Sequence, residues 1–176
     1  MRNNPFYDAA GSLWPSDDQR QFFADIDITH QQQVGGTCVS TGLSQITGEA
    51  PMDIRAQINT QAPTSWSLYL QQHGMKLAYC NSDFRRLKFY VDELLALDDL
   101  FTISTYSPTD PEAIGCDPDA SGWVCGSHFF LLYRDTIYDT AQSKPILLED
   151  YYGLDRYVKR IFRVVPCQAS ECVMAV

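Results

Sequence analysis

The segment Gly126-Ser127-His128-Phe129-Phe130-Leu131-Leu132-Tyr133-Arg134-Asp135-Thr136-Ile137-Tyr138-Asp139 constrains the fold more than any other part of this chain. Its unbroken apolar run is the pattern of a buried strand, and the polar pair Arg134-Asp135 predicts a turn that returns Thr136 to Asp139 as a hairpin partner. Antiparallel sheet is therefore built into the second half of the chain. If the turn has two residues, Tyr133 pairs with Thr136 and Asp139 faces Phe130, on the same side of the sheet as His128. Asp139 then lies diagonally beside the His128 imidazole, close enough to orient it. A three-residue loop would shift the register by one and carry Asp139 to the other face.

A histidine with a carboxylate beside it gains chemical meaning from Gln31-Gln32-Gln33-Val34-Gly35-Gly36-Thr37-Cys38-Val39-Ser40. Val39, Leu43 and Ile46 recur at helical spacing, Thr37 stands at the N-cap position and Gly48 at the stop, so Cys38 is predicted to open a helix. A free thiol is mostly protonated at neutral pH, and a helix N-terminus favours the thiolate. An imidazole close enough to hold the thiol proton is the second device such chemistry uses. The chain has three histidines, His30, His73 and His128. The hairpin makes His128 the best candidate, with the other two as rivals.

Cysteine, histidine and carboxylate in this order resemble the papain-like cysteine peptidases, whose nucleophile opens a helix and whose His and Asn or Asp follow on strands. Gln32, six residues before Cys38, stands where that superfamily keeps its oxyanion-hole glutamine. Gly36 and Thr37 stand where it keeps a glycine and a small hydroxyl residue. The resemblance implies a catalytic set of Cys38, His128, Asp139 and Gln32, with Gln31 and Gln33 as close rivals for the oxyanion donor. It covers about residues 32–48 and 126–140. Two features depart from papain itself. Gly35 and Val39 replace a cysteine and an aromatic residue, and 90 residues separate Cys38 from His128, where about 130 to 150 are expected. The chain thus resembles a compact, divergent member of a superfamily that also includes amidases, isopeptidases, acyltransferases and deamidases.

At 176 residues, 45% of them hydrophobic, the chain has enough apolar material for one core and too little length for two ordinary domains. A single domain over 1–176 is expected, of α+β class with a papain-like fold. Its N-terminal helices, the nucleophile helix among them, would pack on one side of a C-terminal antiparallel sheet. An irregular arm spans 1–30. Helices are predicted over Pro51 to Asn59, Thr64 to His73 and Ser82 to Leu97. Strands are predicted over Met75 to Cys80, Leu100 to Tyr106, Ser127 to Tyr133, Thr136 to Asp139, Ile146 to Glu149 and Tyr157 to Val165. Thirteen basic against 22 acidic residues give a net charge of −9, which argues against a nucleic-acid partner. No apolar run is long enough to span a membrane, and Met1-Arg2-Asn3-Asn4-Pro5 lacks a signal-peptide core. A cytoplasmic protein acting on a protein or peptide substrate is expected; oligomeric state is not legible.

Residues 107–126 form a long connection of the kind that serves as a lid or binding loop. Trp123 within it reads equally well as the wall of a substrate cleft or as a plug over the core, and Gly36 and Ser127 flank the predicted catalytic residues as substrate-binding candidates. Asp117-Pro118-Asp119-Ala120-Ser121-Gly122 imitates the start of a calcium loop, but His128 stands where the bidentate Glu is needed. Cys116, Cys125, Cys167 and Cys172 allow free thiols, disulfides or a zinc site, free thiols being the simplest reading. Cys80 belongs to the core. The hydrolase reading needs no metal or cofactor. Its alternatives are an inactive papain-like fold serving as a binding or inhibitory module, and an amidase, deamidase or transferase on the same fold.

Overall fold

In the computed structural model, which describes residues 21–23, 25–80, 82, 85–106 and 126–167, the apolar run and its return form the expected hairpin. β3 (Ser127–Tyr133) and β4 (Thr136–Tyr138) pair antiparallel with Tyr133 opposite Thr136, so the turn has two residues. Arg134 adopts the left-handed region there, φ 58°, a conformation that costs a non-glycine residue about 1 to 3 kcal/mol. Its partners offset that cost. The Arg134 N–H donates to Asp99 O at 2.9 Å, and its guanidinium grips the Asp98 carboxylate through two bonds of 3.1 Å.

The hairpin joins a six-stranded sheet of order β1 (Met75–Cys80), β6 (Val158–Pro166), β2 (Leu100–Tyr106), β3, β4, β5 (Ile146–Leu147), antiparallel at every pairing. Alternation along β3 sends Phe129 and Leu131 into one apolar cluster and Phe130 and Leu132 into another. α1 (Cys38–Thr47), α2 (Pro51–Gln57) and α3 (Pro63–Gln71) cover the first face with Leu43, Ile54, Trp66 and Leu70. α4 (Val91–Leu97) and the turn before it cover the second with Leu87, Tyr90, Leu94 and Leu97. The class is α+β, as expected. The expectation of helices on one side only is corrected: β3 is apolar at successive positions, so neither face of the sheet can be left to water.

The helix expected over Ser82 to Leu97 is also corrected. Arg86 is extended, a 3-10 turn spans Leu87–Phe89, and only Val91–Leu97 is α-helical. The backbone of this stretch is engaged elsewhere. Leu87 N donates to Arg156 O at 2.9 Å, Lys88 N to Leu154 O at 2.9 Å, and Val158 N to Arg85 O at 3.0 Å, with a bridge between Arg86 and Tyr157. Tertiary pairing thus overrides local helix propensity. The strand expected over Ile146 to Glu149 shortens to Ile146–Leu147, because a 3-10 turn at Leu148–Asp150 follows and Leu148 N donates to Asp135 O at 2.7 Å.

α1 lies against β3 with no side chain between them at Gly42. A Cβ there would fall 2.2 Å from Phe129 Cε1 and 2.6 Å from Cδ1. The Phe129 ring meets Trp66 edge-on at a centroid distance of 5.4 Å. Behind the sheet, Asp99 and Arg163 form a fully buried ion pair of 2.6 Å, and Asp99 also accepts the Phe22 and Phe23 N–H groups. Among the described residues, no helix is long and apolar enough to cross a membrane.

Candidate active site

Cys38 is the first residue of α1, as its spacing predicts, and Gly48 closes the helix at φ 78° with its N–H on Ser44 O. Thr37 does not cap. Its hydroxyl donates to Val34 O at 3.0 Å and lies 3.1 Å from Thr41 Oγ1, leaving the first-turn N–H groups without a side-chain acceptor. The approach to the helix turns at Gly35, whose φ of 62° suits a residue without a Cβ. It is held at several points, two of them through backbone pairs. Thr29 N donates to Gln45 O at 3.2 Å, and Gln33 N donates to Thr140 O at 2.8 Å while Thr140 Oγ1 donates to Gln33 Oε1 at 2.6 Å.

The three glutamines differ sharply in what they touch. Gln31 donates its amide to Ser44 Oγ at 2.8 Å, and Gln33 donates its own to Gly35 O at 2.7 Å. Gln32 is exposed, and among the described residues its side chain makes no hydrogen bond.

The two-residue turn places Asp139 diagonally beside His128. His128 Nε2 and Asp139 Oδ1 are 2.5 Å apart, with the carboxylate fully buried. Burial alone would push the imidazole pKa down. Hydrogen bonds to Asp139 and Cys38, with the charges of both, overcome it and hold His128 at about 9. Burial likewise opposes the Asp139 charge, and His128, Tyr152 and the Ala141 N–H together bring its pKa down to about 2. Because Nε2 faces Asp139, Nδ1 is the ring nitrogen left to the Cys38 thiol. His30 and His73 are engaged elsewhere: His30 Nε2 is 2.8 Å from Gln142 O, and His73 Nε2 is 3.2 Å from Glu49 Oε1.

Asp139 has partners that the sequence did not announce. Tyr151 and Tyr152 donate their hydroxyls to Oδ2 at 2.8 and 2.7 Å, and Ala141 N donates to Oδ1 at 2.9 Å. Burial, then the charge of Asp139, pushes the Tyr151 pKa up, so its hydroxyl stays a donor. The signal that would have found Tyr151 is that a buried tyrosine hydroxyl needs an acceptor, and Asp139 is the buried acid of the hairpin; Tyr152 is exposed and gives no such signal. We expect Tyr152→Phe to cost about 1 kcal/mol. A depressed carboxylate stabilises the fold above its ordinary pKa and loses that contribution as pH falls through about 2. With one donor gone the folded pKa moves back toward its ordinary value, so the contribution shrinks and its loss is complete at higher pH, which acid unfolding of the two proteins followed by circular dichroism will read.

No family model matches the chain, and no curated protein matches it.

Cys38 lines a cleft together with Trp66, Phe129, Ser127, Lys159 and Arg160. Gly36 borders it too, and Ser127 Oγ accepts a 3.3 Å hydrogen bond from Lys159 Nζ. Trp123 lies outside the described residues, as do Cys116, Cys125, Cys172 and the 117–122 acidic turn. Of the described cysteines, Cys80 is fully buried, which pushes its thiol up to about 12, and Cys38 and Cys167 are half-buried. The arrangement joins a thiol, an imidazole held in its protonated range, a buried carboxylate and an open cleft. Those are the parts needed for nucleophilic attack on a carbonyl.

Proposed function

We propose that this chain is a papain-like cysteine hydrolase that cleaves a peptide or isopeptide bond through a thioester. The observation that carries the reading is the continuous line of contact from Cys38 through His128 to the buried Asp139. A helix that opens on the thiol, and a sheet that carries the histidine on β3 with the acid directly after β4, support the papain-like fold. With the Cys38 proton on His128, the thiolate attacks the carbonyl carbon, and the oxyanion is met by the Gln32 amide and the Cys38 N–H. His128 protonates the leaving nitrogen as the C–N bond breaks. Water then gives its proton to His128 and its oxygen to the acyl carbon, and the thiol leaves. Asp139 holds the ring in the orientation both transfers need.

Iodoacetamide tests this directly. We expect Cys38 to be alkylated at least about tenfold faster than Cys167 at pH 7, with Cys80 unreactive, as the reactivity of an imidazole-paired thiol requires. The advantage should vanish in His128→Ala. Equal rates at Cys38 and Cys167 in the unaltered protein would refute the proposal.

A further inference from the structure

β6 contains a bulge beside the cleft. Thr105 pairs with Val158 and Ser104 with Arg160, so Lys159 is the extra residue where the register of this strand pair shifts. In an unbroken strand, successive side chains point to opposite faces. A bulge re-aims them, and bulges favour the neighbourhood of active sites. Here Val158 and Ile161, three positions apart, both enter the cluster behind the sheet, while Lys159 and Arg160 both reach the cleft that Cys38 lines. A chain of net charge −9 therefore turns two adjacent cations toward its nucleophile.

The two cations are not equally engaged. Lys159 Nζ donates to Ser127 Oγ and lies 5.7 Å from the Tyr106 ring centroid. Arg160 is half-buried, its charge opposed first by burial, and the other titratable groups near it are the neutral hydroxyls of Tyr106 and Tyr79. Among the described residues, no carboxylate pairs with it. A half-buried guanidinium with no acid partner among the described residues is costly for a fold to keep, and a planar anion is what its fork fits.

We propose that the cleft beside Cys38 selects substrates by a carboxylate, which Arg160 binds and Lys159 helps to neutralise. The inference rests on the hydrolase reading for its substrate, a peptide, and names the group that peptide must present. An acidic side chain or a free C-terminus would supply it. The overall negative charge disfavours a polyphosphate ligand, and Ser104 and Ser127, which line the same cleft, add hydroxyls that can donate to a small anion.

The test is protection of Cys38 from iodoacetamide, read by mass spectrometry at physiological salt, with three N-acetylated tripeptides. Acetyl-Ala-Ala-Glu-amide offers only a side-chain carboxylate, acetyl-Ala-Ala-Gln with a free terminus offers only a terminal one, and acetyl-Ala-Ala-Gln-amide offers neither. At least one acidic peptide should slow alkylation of Cys38 at concentrations where the neutral peptide does not, and which one does so identifies the source. In Arg160→Gln the concentration for half-protection should rise about tenfold, the size of one lost charge-assisted hydrogen bond. Lys159→Gln should give a smaller rise, and it keeps the test open if Arg160→Gln melts early. Equal protection by acidic and neutral peptides would overturn the proposal, as would equal protection by inorganic phosphate or protection unaltered in both variants. The unprotected alkylation rate reports the nucleophile separately, so a failed subsite and a failed hydrolase reading give different results.

Discussion

Asp139→Asn is expected to lower kcat/KM for amide cleavage by about a hundredfold or more, and to move the alkaline limb of the pH profile to lower pH. The direction follows from what holds the His128 proton. Burial lowers its pKa, and the bonds and charges of Asp139 and Cys38 raise it from 6.5 to about 9. Without the Asp139 charge, the proton needed by the leaving nitrogen is lost nearer neutrality. Stability should follow the same sign. A group whose pKa is raised on folding contributes fully below its ordinary value and loses that contribution as pH rises through the folded one. The unaltered protein should therefore weaken between about pH 6.5 and 9, and the variant should show a smaller loss over that window. Asparagine also sets an NH₂ group against donors: Oδ1 receives Ala141 N and His128, and Oδ2 receives both tyrosine hydroxyls. That mismatch costs about 1 to 3 kcal/mol. An alkaline limb that stays in place would show that Asp139 does not set the His128 charge.

Gly42→Ala should destabilise the fold by about 2 to 3 kcal/mol and lower Tm by roughly 5 to 10 °C. Its new methyl would fall 2.2 Å from Phe129 Cε1. The ring has little freedom to withdraw, since it is buried, stands edge-on to Trp66 and sits on a strand paired on both sides. Relief must come from α1 moving off the sheet. Cys38 is the first residue of that helix and Phe129 is the neighbour of His128, so the shift opens the contact between thiol and imidazole. Differential scanning calorimetry and the Cys38 alkylation rate should both register it. A variant with unchanged Tm would mean that helix and sheet can separate at no cost.

The positions of thiol, imidazole and acid were legible because local patterns determine each of them. Val39, Leu43 and Ile46 mark a helix with Cys38 at its head. The run from Ser127 to Tyr133 with a two-residue turn fixes Asp139 against His128, and Arg134 with its Asp98 partner keeps that turn short. What the sequence hid depends on pairing between distant segments. The stretch from Arg85 to Leu97 has helical periodicity throughout, yet its first part bonds to residues 154 to 158 instead. Tyr151 and Tyr152 follow a short turn whose direction no periodicity announces. Lys159-Arg160 reads as one residue per face until the extra residue in β6 is seen.

The segment that leads into Cys38 is tied down before any ligand arrives. Thr29 is bonded to the α1 backbone, and Gln33 is bonded twice to Thr140, the residue after Asp139. The segment that carries Cys38 and the one that carries Asp139 are therefore fixed to each other outside the contacts with His128. The conformational entropy of that stretch is surrendered during folding, so under the proposed hydrolase reading substrate binding would have less disorder left to remove. Such preorganisation leaves more of the binding energy to act on the reacting bond.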